Sequence, residues 1–194
     1  PLRLSWSGRG SLHTLRAAES AGHEPPPLGP GLMAAWYLNE LLLGLLRRGD
    51  PHPSLFGLYS ATLHELQSSR DPEPALRRFE LGLLAELGYG LNLEHEGGGD
   101  RPLDPTVRYE YVVEHGPVPA PPGGVAGDPA AFFTGAELLA LARGDLAQAG
   151  VLQAAKRLLR PVLNHYLGGR PLRTREVMAA MRRQPPGLHT PGHG

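Results

Sequence analysis

Cysteine is absent from this chain of 194 residues. That excludes disulfides, thiolate zinc centres, iron–sulfur clusters and a cysteine nucleophile, whatever the compartment. Lysine is nearly absent: 18 of the 19 basic residues are arginine, and Lys156 is the single lysine. Arginine suits two-pronged contact with phosphate or carboxylate, although GC-rich coding produces the same bias. Long apolar runs are missing too. The most apolar stretch, Leu32 to Leu46, is too short to span a bilayer and contains Asn39 and Glu40. No basic-then-apolar leader is seen, and the chain opens at Pro1 as though in the middle of a longer sequence. Net charge is zero, so the total points to no particular partner.

What remains is the composition of a folded protein. Apolar residues at 41% and charged ones at 20% support a packed core and exclude a wholly disordered chain. The length fits one large domain or a medium one with a smaller companion. With 26 glycines and 21 prolines, long loops are expected. The neutral total also hides an asymmetry. Residues 1–18 hold three arginines and no acid, and residues 19–150 hold eight arginines against eighteen acids. Residues 151–183 hold eight basic groups against Glu176 alone, a local excess that makes a positive surface on a neutral protein.

Leu2, Leu4 and Trp6 alternate with polar residues, Gly8-Arg9-Gly10 interrupts, and Leu12 and Thr14 resume, which predicts a β-hairpin. After a stiff connector at 22–30, three helices are predicted. The first, about 31–47, is apolar on most sides and should be central. The second starts after Pro53 with Ser54 as cap; the third starts at Asp71-Pro72 and carries Leu76, Phe79, Leu83, Leu84 and Leu87 up to Gly88. Residues 89–93 read as a short strand, 97–100 as a turn and 107–113 as a second strand. The run 116–129 reads as a mobile loop. Thr134-Gly-Ala-Glu137 has capping-box spacing. A long helix over about 151–167 presents an apolar stripe, with Gln153, Lys156, Arg157, Arg160 and Asn164 on the other side. Pro161 is expected to kink it and free the Arg157 carbonyl. A short basic helix over about 174–183 and a disordered tail at 184–194 complete the reading.

Four stretches carry a resemblance: Trp36-Tyr-Leu-Asn-Glu-Leu-Leu42; Pro72-Glu-Pro-Ala-Leu-Arg-Arg-Phe-Glu80 running on to Glu86-Leu-Gly-Tyr-Gly90; Ala154-Ala-Lys-Arg157; and Tyr166-Leu-Gly-Gly-Arg-Pro-Leu-Arg-Thr-Arg-Glu176. In order and spacing they resemble the bacterial recombination mediator family RecO. The resemblance implies a mainly α chain with a β remnant. Residues 1–20 would be the closing strands of an OB barrel, an incomplete remnant of a five-stranded fold. Residues 28–183 would be the helical domain, with a small β-hairpin region at about 89–130. Many relatives carry a four-cysteine zinc site where this chain has Glu94-His95-Glu96-Gly97, so it resembles the zinc-free branch, and no cofactor is expected.

The function implied is non-enzymatic: binding of single-stranded DNA, annealing of complementary strands, capture of the acidic tail of the single-stranded DNA-binding protein SSB, and loading of RecA with RecR. The location implied is cytoplasmic and nucleoid-associated, away from membranes. SSB-type tails end in an aromatic residue with a free carboxylate, so capture requires cations beside an apolar pocket. Lys156, Arg157, Leu159 and Arg160 are the candidates, and Arg77 joins them by the resemblance. A solvated helix face, and for Arg77 an ordinary pair with Glu73, are the bland alternatives.

Arg3, Arg9 and Arg16 on the hairpin, and Arg170, Arg173 and Arg175 around the Gly168-Gly169 loop, are candidate phosphate contacts for single-stranded DNA. Trp6 is a candidate for base stacking, though packing is the more ordinary use. No set of acid, base and metal ligand converges. His95 between Glu94 and Glu96, with His115 across a hairpin, lacks the spacing of a zinc or hydrolase site, so neither an enzyme nor a metal centre is expected. A protein-binding helical module without DNA binding is the alternative reading.

Overall fold

The computed structural model describes residues 2–9, 12–22, 27–121 and 131–183. The tail 184–194 and most of the glycine- and proline-rich run therefore lie outside the described residues. In chain order the elements are β1 (Leu2–Ser7), β2 (Thr14–Ser20), α1 (Pro30–Leu45), α2 (Pro53–Ser68), α3 (Glu73–Glu86), β3 (Arg108–Val112), β4 (Gly116–Pro119), β5 (Phe132–Thr134), α4 (Gly135–Ala142), α5 (Ala149–Tyr166) and α6 (Arg173–Arg183). The fold is mainly helical with two small antiparallel sheets.

Pro30 and Pro53 each open their helix, where a missing N–H costs nothing. Ser54 lies inside the first turn of α2 and forms no cap, because Pro53 already occupies the first helical position. Asp71 does cap: its Oδ1 accepts from the Glu73 N–H at 3.0 Å, ahead of Pro72, which has helical dihedrals. Gly88, at φ +79°, ends α3 in the left-handed conformation that glycine adopts without strain. At Thr134 the capping box is complete, with Glu137 N–H donating to Thr134 Oγ1 and the Thr134 N–H donating to Glu137. Behind it, a Cβ on Gly135 would overlap the Asp104 carbonyl oxygen, so only glycine lets α4 start this close to the preceding loop.

The core is built around α5. Its Ala154, Ala155, Leu158, Leu159, Val162 and Leu163 are buried and meet α3 (Leu76, Phe79, Leu83, Leu84) and α4 (Leu138, Leu141). The helix is continuous past Pro161. On the other flank α2 packs on α1 and α3, and α6 packs on α1. α1 contributes one side to the core. Ala34, Tyr37, Leu38 and Leu41 are buried, but Trp36 and Leu43 face outward.

The middle region also differs from expectation. Residues 89–93 form no strand, and only a single bridge, His95 to Pro102, is found nearby. The expected loop begins as a strand, β4, which pairs with β3, and β5 joins the far edge of β3 to give the order β4-β3-β5. Pro117 and Pro119 are tolerated because β4 is an edge strand. The β1–β2 hairpin carries a bulge between Ser5 and Trp6. Leu2, Leu4, Trp6 and Leu15 are all exposed, and among the described residues the two strands pair only with each other.

Candidate functional site

Lys156, Arg157 and Arg160 are brought together at one cleft. It has a volume of about 560 Å³ and runs between α5 and the β3–β5 side of the sheet. Val113, Phe133, Leu158 and Val162 supply its apolar walls, and Tyr111 stands at one side. Burial pushes the Tyr111 phenol up to about 12, so it stays a neutral hydrogen-bonding group near neutrality. Phe133 and Tyr111 are far from α5 in sequence, and no local pattern announced them.

The three cations are held differently. The Arg157 guanidinium donates to the Phe132 carbonyl at 3.2 Å and to Glu137 Oε1 at 3.1 Å, and lies 4.8 Å from the centre of the Phe133 ring. Lys156 Nζ donates to Glu73 Oε1 at 2.8 Å. Arg160 is exposed and forms no ion pair among the described residues. An anion entering the cleft therefore meets one open guanidinium, one ammonium on a partly exposed carboxylate and one anchored guanidinium.

Arg77 and Leu159 stand elsewhere than the sequence suggested. Leu159 is wholly buried, and Leu158 and Val162 line the cleft in its place. Arg77 lies beneath the surface with its side chain 7% exposed. Its Nη1 is 2.9 Å from Glu80 Oε2, and its Nη2 is 3.6 Å from Glu73 Oε2. Glu80 Oε1 in turn accepts from the Tyr37 hydroxyl at 2.5 Å. Burial raises Glu80 above the usual carboxylate range despite Arg77 and Tyr37, and burial together with Glu80 holds Tyr37 far above the ordinary phenol value.

The second arginine group is divided. Arg170 and Arg173 are exposed, but Arg175 turns inward, donating to the Tyr37 hydroxyl at 2.8 Å with its guanidinium 5.3 Å from the ring centre. Glu40 receives the start of α6 through the Arg173 and Thr174 N–H groups at 2.7 and 3.0 Å. Burial raises the Glu40 carboxyl, but these hydrogen bonds and that of the Thr174 hydroxyl outweigh it and hold the group below its usual range. On the hairpin Arg3, Arg9 and Arg16 are all exposed. Arg3 faces Glu19 across the strands, and Arg16 Nε donates to Ser7 Oγ at 2.6 Å. Among the described residues no three histidine or acidic side chains converge on a metal-sized site, and no helix is long and apolar enough to cross a membrane.

The family model "Recombination protein O C terminal" matches residues 30–176. The chain is 46% identical to the DNA repair protein RecO of Aromatoleum aromaticum over 184 residues, 94% of this chain and 74% of that protein. It is 46% identical to that of Nitrosococcus oceani over 183 residues, 94% of this chain and 73% of that protein, and 43% identical to that of Pseudomonas aeruginosa, with 95% and 77% covered. The chain belongs to the RecO family. The matched RecO segment contains α1 to α5, the three-stranded sheet and every residue of the cleft, and leaves the β1–β2 hairpin and most of α6 outside it.

Proposed function

We propose that this RecO-family chain serves DNA repair and recombination as a non-enzymatic mediator whose α5 cleft captures an acidic, ring-terminated tail of the SSB type. The observation that supports this most strongly is the convergence of Lys156, Arg157 and Arg160 on one apolar-walled cleft. Arg160 and Lys156 meet the terminal and neighbouring carboxylates, while Val113, Phe133, Leu158 and Val162 receive the ring. Arg157 acts as a fixed positive wall. Leu159 supports the cleft from the core, and Arg77 does so through Glu73. Single-stranded DNA is held by the exposed Arg3, Arg9, Arg16, Arg170 and Arg173; Arg175, turned onto Tyr37, joins them only if α6 shifts. Strand annealing, association with RecR and RecA loading follow from the same role, with the hairpin as part of an OB-type barrel. The names of the relatives, DNA repair protein RecO, agree with this role.

The test is the affinity of a fluorescent acidic peptide ending in phenylalanine. Arg160→Glu is expected to weaken it at least tenfold, because the open guanidinium becomes a like charge; an unchanged affinity removes the assignment. A second reading, a peptide-binding helical module without DNA binding, is favoured by the inward turn of Arg175 and the position of Glu19 opposite Arg3 across the hairpin. Retention of an oligonucleotide separates the two. For the mediator, log affinity falls linearly with log salt as counterions are released. Peptide binding with no oligonucleotide retention, or with a flat salt response, leaves the module.

A further inference from the structure

The cations of the cleft are not equally available, and the difference traces to the carboxylates behind them. Arg157 is immobile. Its partner Glu137 uses Oε1 for the guanidinium and Oε2 for the Thr134 N–H and hydroxyl, so withdrawing Glu137 would also break the cap of α4. Lys156 is different. A single ammonium on a flexible stem, 39% exposed, rests on one oxygen of Glu73, itself 26% exposed. Pairs at this level of exposure are weak and exchange readily with other anions. The second oxygen of Glu73 faces Arg77 Nη2 at 3.6 Å, beyond hydrogen-bonding distance, while the other arm of Arg77 is engaged by Glu80. Glu73 therefore stands between two cations, one at the cleft and one beneath it.

We propose that Glu73 is an internal competitor for the cleft: an incoming carboxylate takes Lys156 from it, and Glu73 closes onto Arg77, which acts as a buried positioning residue. This deepens the peptide-capture reading and rests on it. Arg77 is already paired with the Glu73 carboxylate at 3.6 Å and stays beside it when Lys156 is drawn away. A small side-chain rotation of Glu73 shortens that contact. The exchange makes the site selective. A ligand without a negative charge leaves the Lys156–Glu73 pair intact and gains nothing from the ammonium, whereas an acidic ligand reaches it only by displacing Glu73. Arg77 thus affects ligand affinity without touching the ligand.

The experiment is a double-mutant cycle on the full chain, read as affinity for the same fluorescent acidic peptide. Glu73→Gln is expected to tighten binding three- to tenfold, and Lys156→Gln to weaken it. In the Lys156→Gln background, Glu73→Gln is expected to change affinity by less than twofold, since the competition acts only through that ammonium. An equal gain in both backgrounds would identify a long-range charge effect and overturn the proposal. So would unchanged or weaker binding by Glu73→Gln. Because Lys156 is the only lysine in the chain, lysine-selective isotope labelling gives a single side-chain resonance and tests wild-type protein directly. That signal is expected to move on peptide addition, and a signal indifferent to bound peptide refutes the exchange. Absence of peptide binding by wild type and Glu73→Gln alike would overturn the capture reading itself, and this proposal with it.

Discussion

Arg77→Ala is expected to lower the unfolding free energy by about 3–5 kcal/mol, the usual cost of removing one partner from a buried ion pair. Glu80 is fully buried, and Arg77 is the cation in direct contact with it. Without the guanidinium, the Glu80 carboxylate keeps the Tyr37 hydroxyl and, through it, the more distant Arg175. Burial already raises Glu80, and loss of Arg77 raises it further. The sign of the pH dependence follows. A carboxyl whose folded-state value lies above its unfolded one is tolerated when protonated and penalised when ionised. The penalty is therefore absent below the unfolded value and grows as pH rises through the folded one. Urea unfolding at neutral pH and near pH 5 should show the variant recovering part of its deficit, relative to wild type, at the lower pH. A loss below about 1 kcal/mol at neutral pH would mean that solvent reaches the pair, as it does for exposed ones.

Leu159→Ala is expected to cost about 2–5 kcal/mol, the range for truncating a fully buried leucine. For a chain of this size that corresponds to roughly 5–15 °C in Tm. Leu159 has no exposed surface and lies in the same cluster as Phe79, Leu83 and Leu163. The substitution leaves a cavity among packed neighbours and removes nothing from the cleft. On folded protein the affinity for the acidic peptide should stay within about twofold of wild type, a change of under about 0.5 kcal/mol. A Tm near wild type with a tenfold loss of peptide affinity would place Leu159 at the cleft instead.

The same two residues mark where sequence reasoning stops. In α5 the 3.6-residue period distinguishes the stripe around Val151, Leu158 and Val162 from the face of Lys156, Arg157 and Arg160, and the cleft lies where the two meet. The period also placed Leu159 next to that face, but adjacency along a helix says little about which side of a boundary one side chain occupies. Arg77 next to Arg78 on α3 gives no sign that the first is buried and the second exposed. Only the packing of α3 on α5 decides it. The capping box at Thr134 and the glycine stop after α3 were readable because they are contacts within a few residues. β4 was not, because a segment of glycine and proline becomes a strand only when a partner edge is supplied from elsewhere.

The sequence by itself determined what is local or absolute: no thiol chemistry, helices with proline starts and glycine ends, a cationic C-terminal third and one lysine. Tertiary structure decided which charges face each other. Lys156 meets Glu73 across 83 residues and Arg175 meets Tyr37 across 138. The energy of such pairs depends on the separation and solvent exposure of two groups brought together by the packing of whole helices, and no spacing along the chain encodes either quantity.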